Sequence, residues 1–259
     1  MNIIHKILIP VDFSTCSASA INYVQGMVKG DESAECTLLH VRNATDIDES
    51  KLDNLQEIKK ASFDPYGIKC NIIEEKGALN QKILATKEQI GADLVVFGTA
   101  GSDDEDPLET HTTQFLKEAD CPVLIVPMNT NGFSLKSIAL ALDENEIDNA
   151  VDLSVFHDMA KWFDASVHLL KVNKIGQQPV TDQLKKQDTL DYYMEGLDYQ
   201  YSFPESGDIE QGLRGYIRDN KIDALAILPR NHAQRSQPSE GRLTKVLAKH
   251  IKVPLLVLD

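Results

Sequence analysis

Two stretches of this chain carry residues able to hold an anion. In the first, the apolar run Lys6–Pro10 ends in Pro10-Val11-Asp12 and leaves a carboxylate just beyond it. In the second, Leu94–Phe97 runs into Gly98-Thr99-Ala100-Gly101; after nine more residues, Ser102 to Thr110, come His111-Thr112-Thr113. Glycines let backbone amides approach a phosphate closely, and the first amides of a helix, joined by Thr hydroxyls, donate to it. Each signal also has a plainer reading. Asp12 is a good cap or turn residue, and Gly-x-x-Gly is what many tight loops use.

These residues need elements to position them. Lys6–Pro10, Cys36–Val41, Lys69–Glu74, Leu94–Phe97 and Val123–Val126 are apolar runs of strand length, suited to a parallel sheet covered on both faces. Between them, Cys16–Val28, Asp48–Ser62, Leu79–Gln89 and Thr112–Ala119 read as helices. In the first of these, Ala20, Ile21, Val24, Met27 and Val28 form one stripe, with Ser14 and Thr15 placed to cap it. Such alternation predicts an α/β, doubly wound parallel sheet with right-handed crossovers. Ligands of such sheets sit beyond the carboxyl ends of the strands, where the strand order reverses.

The chain then reads a second time. Asp12 returns as Asp143, and Ala34–Val41 returns as Ala165–Val172, both 131 residues on; Cys121–Val126 returns as Val253–Leu258 at 132. A solenoid repeats every ~20 to 50 residues, so this period predicts two whole domains, 1–128 and 135–259, joined by the turn formers Asn129–Ser134. The second half predicts strands at Ser137–Ala141, Val167–Val172, Asp198–Phe203, Ala224–Leu228 and Leu255–Leu258. Its helices are expected at Ile147–Phe163, Val180–Met194, Ile209–Arg218 and Leu243–His250.

Composition narrows the function. The 259 residues are 42% hydrophobic and 25% charged, with a net charge of -14, ordinary for a globular protein apart from the acidity. Residues through Asn129 hold 21 acidic and 11 basic side chains, and the rest hold 19 and 15. Such a chain repels a nucleic-acid backbone. No run approaches the ~20 apolar residues of a membrane span. The N-terminus lacks a basic start and a cleavage site, so it reads as a first strand and the expected location is cytoplasmic. Cys16, Cys36, Cys70 and Cys121 show no Cys-x-x-Cys spacing and are expected as reduced, buried thiols. His5, His40, His111, His157, His168, His232 and His250 show no metal-ligand spacing. Trp162 and Phe163 are expected in the core.

Ile7-Leu8-Ile9-Pro10-Val11-Asp12-Phe13-Ser14, the Gly98/Gly101 spacing and Cys121-Pro122-Val123-Leu124-Ile125-Val126 together resemble the universal stress protein family of the UspA type. The second half joins by way of the repeat. The resemblance implies two tandem five-stranded domains of the adenine nucleotide alpha hydrolase-like fold, strand order 3-2-1-4-5. It implies adenine and ribose near Asp12 and Val41, with Pro10 and Phe97 lining the base pocket. Phosphates of ATP would lie on Gly98, Gly101, Thr112 and Thr113. It also implies pairing through the last strands, Val123–Val126 with Leu255–Leu258, as a pseudo-dimer within one chain, and leaves room for a homodimer of chains.

The pattern is broken in places. His111 stands where the family has its third glycine, and its imidazole is expected to crowd a phosphate oxygen. Asp103, Asp104, Glu105, Asp106 and Glu109 put five carboxylates beside the same loop, which repels a triphosphate. In the second half the fourth strand runs into Leu228-Pro229-Arg230-Asn231-His232, with no glycine before Gly241. Proline removes an amide from any cradle. Arg230, His232, Arg235 and Arg242 form a basic cluster there, read as a solvated loop, as an anion site or as a partner for the acidic loop of the first half. Two functions stay open: a stress-response binding protein with impaired nucleotide binding in its first half, and a protein-binding adaptor with both pockets vestigial and an unidentified protein partner. Slow ATP hydrolysis needs a base or metal beside the γ-phosphate, and only Asp12 offers itself, so no catalytic residue or metal ligand is assigned.

Overall fold

The computed structural model describes residues 4–43, 50–101, 110–142, 153–176, 190–228 and 242–258. The chain divides into two compact units. One is Ile4–Ser134 with Ala248–Lys252, and the other is Leu135–Leu247 with Val253–Asp259.

In the first unit the elements run β1 (Lys6–Pro10), α1 (Thr15–Val28), β2 (Glu35–Arg42), α2 (Ser50–Ser62), β3 (Lys69–Lys76), α3 (Leu79–Ile90), β4 (Leu94–Thr99), α4 (His111–Glu118) and β5 (Val123–Pro127). The strands are all parallel, in the order β3-β2-β1-β4-β5. The central strands are apolar without alternation because both faces are covered: Ile7, Leu8, Ile9, Leu94, Val95 and Val96 are wholly buried. Helix α1 starts where Ser14 Oγ accepts the Ser17 amide, and its expected stripe, Ala20, Ile21, Val24, Met27 and Val28, is buried. Helix α3 ends at Gly91, whose left-handed backbone (φ +63°) closes the last turn.

From Leu135 onward, in the stretch that holds the second unit, the elements run β6 (Ser137–Ala141), α5 (Ser154–Trp162), β7 (Ser166–Leu170), β8 (Tyr199–Ser202), α6 (Ile209–Asp219), β9 (Ala224–Ile227), α7 (Arg242–His250) and β10 (Leu255–Val257). Its strands are again parallel, in the order β8-β7-β6-β9-β10. The duplication extends to single atoms. Asp93 Oδ2 accepts the amides of His5 (2.9 Å) and Lys6 (2.8 Å), and Asp223 Oδ2 accepts those of Lys136 (2.6 Å) and Ser137 (3.1 Å). Lys6 pairs with Glu35 and Ser137 with Ser166, the same step of 29 residues.

The differences from expectation are local. Strand β3 continues to Lys76, and β7 stops at Leu170, so Val172 leaves the strand and fills the space that a Cβ on Gly212 would take. Trp162 and Phe163 are half-buried rather than core residues and stack on each other at 4.6 Å. The acidic Asp103–Asp106 run, Glu109, Asp143, Pro229, Arg230, His232, Arg235 and the start of the helix expected from Ile147 lie outside the described residues.

Candidate functional site

Strand register decides which residues meet at the carboxyl end of the first sheet. Pro10 pairs with Leu39, and the Val11 amide continues that ladder to the Leu39 carbonyl at 2.8 Å. Two residues beyond Pro10, Asp12 is therefore level with Val41. Ile7 pairs with Leu94, and the same step carried forward sets Asp12 level with Thr99. Asp12, Val41 and the Gly98–Gly101 turn thus share one end of three adjacent strands, at the place where the strand order reverses.

Asp12 is exposed and held in place by its neighbours. Its Oδ1 accepts the Ser14 amide at 3.0 Å and the Ser14 hydroxyl at 2.6 Å. Partial burial raises its pKa, but the hydrogen bonds from Ser14, Ser17 and the local backbone outweigh this and hold the carboxyl below its ordinary range. Between them, Phe13 adopts φ +64°, a left-handed conformation unusual for a large side chain. Its ring packs on His40 at 4.8 Å between centroids, and the ammonium of Lys51, on α2, lies over the Phe13 ring at 5.1 Å from its centroid. His40 is buried, and its Nδ1 donates to the Val11 carbonyl at 2.7 Å, the carbonyl being able only to accept.

The loop residues prove to have local structural work. An added Cβ at Gly98 would stand 1.8 Å from the Cys16 carbonyl oxygen, so β4 and the first turn of α1 pack backbone to backbone there. Gly101 has φ +66°, which a side chain would strain, and its amide donates to Thr99 Oγ1 at 3.3 Å. Phe97, expected in a base pocket, is buried against Phe115 of α4 with centroids 4.9 Å apart. At the start of α4, the Thr113 amide donates to Thr110 Oγ1 (3.2 Å) and the Thr113 hydroxyl takes the Thr110 amide (3.0 Å), a closed capping box. Thr112 and Thr113 are buried, and His111 is exposed at the first helical position. Pro10 is half-exposed beside Val11.

In the second unit the Leu142 amide donates to the Leu170 carbonyl at 2.8 Å, the counterpart of Val11 and Leu39. Its buried polar group is elsewhere: His168 Nδ1 lies 2.8 Å from the Tyr216 hydroxyl and 3.0 Å from Gln200 Nε2. Burial lowers the His168 pKa, with Asp198 opposing. Among the described residues no cluster of three or more His, Cys, Asp or Glu converges as a metal site, and no helix is long and apolar enough to cross a membrane.

Sequence reasoning gave no site role to His40 or Phe13, and it read Ser14 as the cap of α1 and not also as the holder of Asp12. A signal existed for His40: it is a polar residue inside an apolar strand run, at an alternation position shared with Cys36 and Leu38. The left-handed Phe13 left no trace in the sequence.

Residues 4–127 match the Universal stress protein family. Over 133 residues the chain is 29% identical to a universal stress protein of Synechocystis sp., a span of 47% of this chain and 84% of that one. In fold it is similar to a universal stress protein from Archaeoglobus fulgidus, with TM-score 0.74, 20% identity and 97% of each chain covered. It is also similar to a functionally unknown protein from Pseudomonas aeruginosa, with TM-score 0.67, 18% identity, and 99% of this chain and 92% of that one covered. These last two likenesses concern the fold alone. The family match thus covers residues 4–127, and the likeness in fold extends over nearly the whole chain.

Proposed function

We propose that the chain is a cytoplasmic, tandem stress-response binding protein whose first unit takes an adenine nucleotide with reduced affinity and whose second unit is a degenerate copy. Asp12 carries this reading. It is an exposed carboxylate, fixed by Ser14 and level with Val41 and Thr99. A carboxylate so placed accepts the hydroxyls of a ribose, with the base toward Pro10 and Val41. The phosphate end is the weak one. The amide and hydroxyl of Thr113 are engaged within the capping box, and His111 replaces a glycine with an imidazole.

That closed capping box favours a second reading, an adaptor that binds protein partners and no nucleotide. Isothermal titration with ATP, with and without magnesium, on the wild type, Asp12→Ala and His111→Gly separates the two. The first reading expects weak wild-type binding, a further loss of about tenfold on removing Asp12, and a gain in His111→Gly. Binding that appears only in His111→Gly establishes the adaptor reading. Tight binding by both the wild type and His111→Gly overturns the argument from His111.

A further inference from the structure

The second unit carries a row of aromatic side chains, half-buried at Tyr199 and Tyr201 and exposed at Phe203. Tyr199, Tyr201 and Phe203 stand at alternate positions along β8 and its exit, so they share one face. Tyr201 and Phe203 stack with their rings 4° from parallel, and Tyr199 meets Tyr201 edge-on. Asp191 ties the row together: its Oδ1 accepts the hydroxyls of Tyr199 at 2.9 Å and Tyr201 at 2.8 Å. Tyr192, the residue after Asp191, is 73% exposed, and Phe203 is 40% exposed. Among the described residues β8 pairs only with β7, so it is an edge strand of its own sheet.

The segment that forms this surface is acidic. From Leu190 to Glu210 the sequence holds six carboxylates and no Lys or Arg. Of these, Glu195, Asp198, Glu205 and Asp208 are exposed. Lys171 and Lys174 follow β7 in the sequence, and Lys185 and Lys186 precede Leu190. Exposed aromatic faces within an acidic rim attract cations twice over, through the rim charges and through the rings themselves. The same rim repels anionic lipid and nucleic acid, and a second copy of a chain with net charge -14 meets the same field.

We propose that this face is a docking surface for a basic amphipathic peptide segment of a partner protein, its apolar side chains on the rings of Tyr192 and Phe203 and its Lys or Arg against the carboxylates. The surface lies in the second unit and does not depend on nucleotide binding by the first.

The test uses the full chain and a fluorescein-labelled synthetic peptide of alternating leucine and lysine, read by anisotropy. Controls are a leucine–glutamate peptide of the same pattern and a glycine–lysine peptide that keeps the charge and lacks the anchors. Binding of the leucine–lysine peptide is expected, weakened about tenfold or more by Tyr192→Ser and by Phe203→Ser, which leave the net charge unchanged. Glu195→Gln/Asp198→Asn/Glu205→Gln is expected to weaken it and flatten its salt dependence. Thermal melts of each variant establish that it is folded. Equal binding of leucine–lysine and glycine–lysine peptides, or equal binding by wild type and the folded aromatic variants, overturns the proposal. So does a wild type that sediments as a dimer and becomes monomeric in Phe203→Ser, which assigns the face to a second copy.

Discussion

His40 Nδ1 donates to the Val11 carbonyl oxygen across 2.7 Å, and this bond joins the end of β2 to the residue beside Asp12. His40 Nε2 is buried without a hydrogen-bond partner among the described residues. His40→Ala removes the bond and the ring beneath Phe13, and a loss of about 2 kcal/mol is expected in urea unfolding. His40→Asn can keep a donor near the Nδ1 position and is expected to recover part of that loss. If His40 also positions Asp12, ATP affinity falls in His40→Ala and returns in His40→Asn. Unchanged affinity in a destabilised His40→Ala reduces His40 to a structural residue.

Asp12 makes stability depend on pH. Its folded pKa lies below the unfolded value, because the hydrogen bonds from Ser14 and its neighbours favour the ionised form. The contribution is therefore present above the unfolded pKa and is lost as pH falls through the folded one, below about pH 4. Asp12→Asn is expected to melt lower than the wild type at pH 7, with the gap closing toward pH 3. A gap that widens in acid contradicts the assignment.

Gly98 and Gly101 are expected to matter for folding before any ligand is added. Gly98→Ala forces a Cβ to 1.8 Å from the Cys16 carbonyl, and a cost above about 4 kcal/mol is expected, enough to reduce soluble yield. Gly101→Ala meets left-handed strain instead, of about 1–2 kcal/mol. Unfolding curves showing equal, small effects for both would contradict the backbone contact at Gly98.

The four thiols should react unequally. Cys36, Cys70 and Cys121 are buried, and Cys16 at the start of α1 is part-exposed. Burial pushes the Cys70 pKa up to about 12 and raises that of Cys36 as well, so neither forms thiolate near neutrality. With an aromatic disulfide reagent at pH 8, one fast thiol is expected in the native protein and four after denaturation. A fast native reaction at Cys36 or Cys70 would contradict the packing of β2 against β3.

Local signals carried much of the fold. Apolar runs without alternation marked β1, β2, β4 and β5 as strands covered on both faces, and Ser14 marked the start of α1. The 131-residue period marked two copies, and the matching carboxylate clamps at Asp93 and Asp223 show how far the likeness extends. The site was less legible. Asp12 and Gly98–Gly101 stood out by type, but Gly98 reads the same whether its missing Cβ admits a phosphate or, as here, the Cys16 carbonyl.

Periodicity, capping residues and repetition act over a few neighbours or along the chain, so the amino-acid order alone determined the α/β class and the element order of the first unit. The levelling of Asp12 with Val41 and Thr99, the His40 bond to Val11 and the closing of the Thr110–Thr113 capping box were decided only in three dimensions. Each depends on which strands lie side by side, in what register, and on which of several partners a polar atom finally meets. Those choices are set by packing between residues far apart in sequence, and no local pattern encodes them.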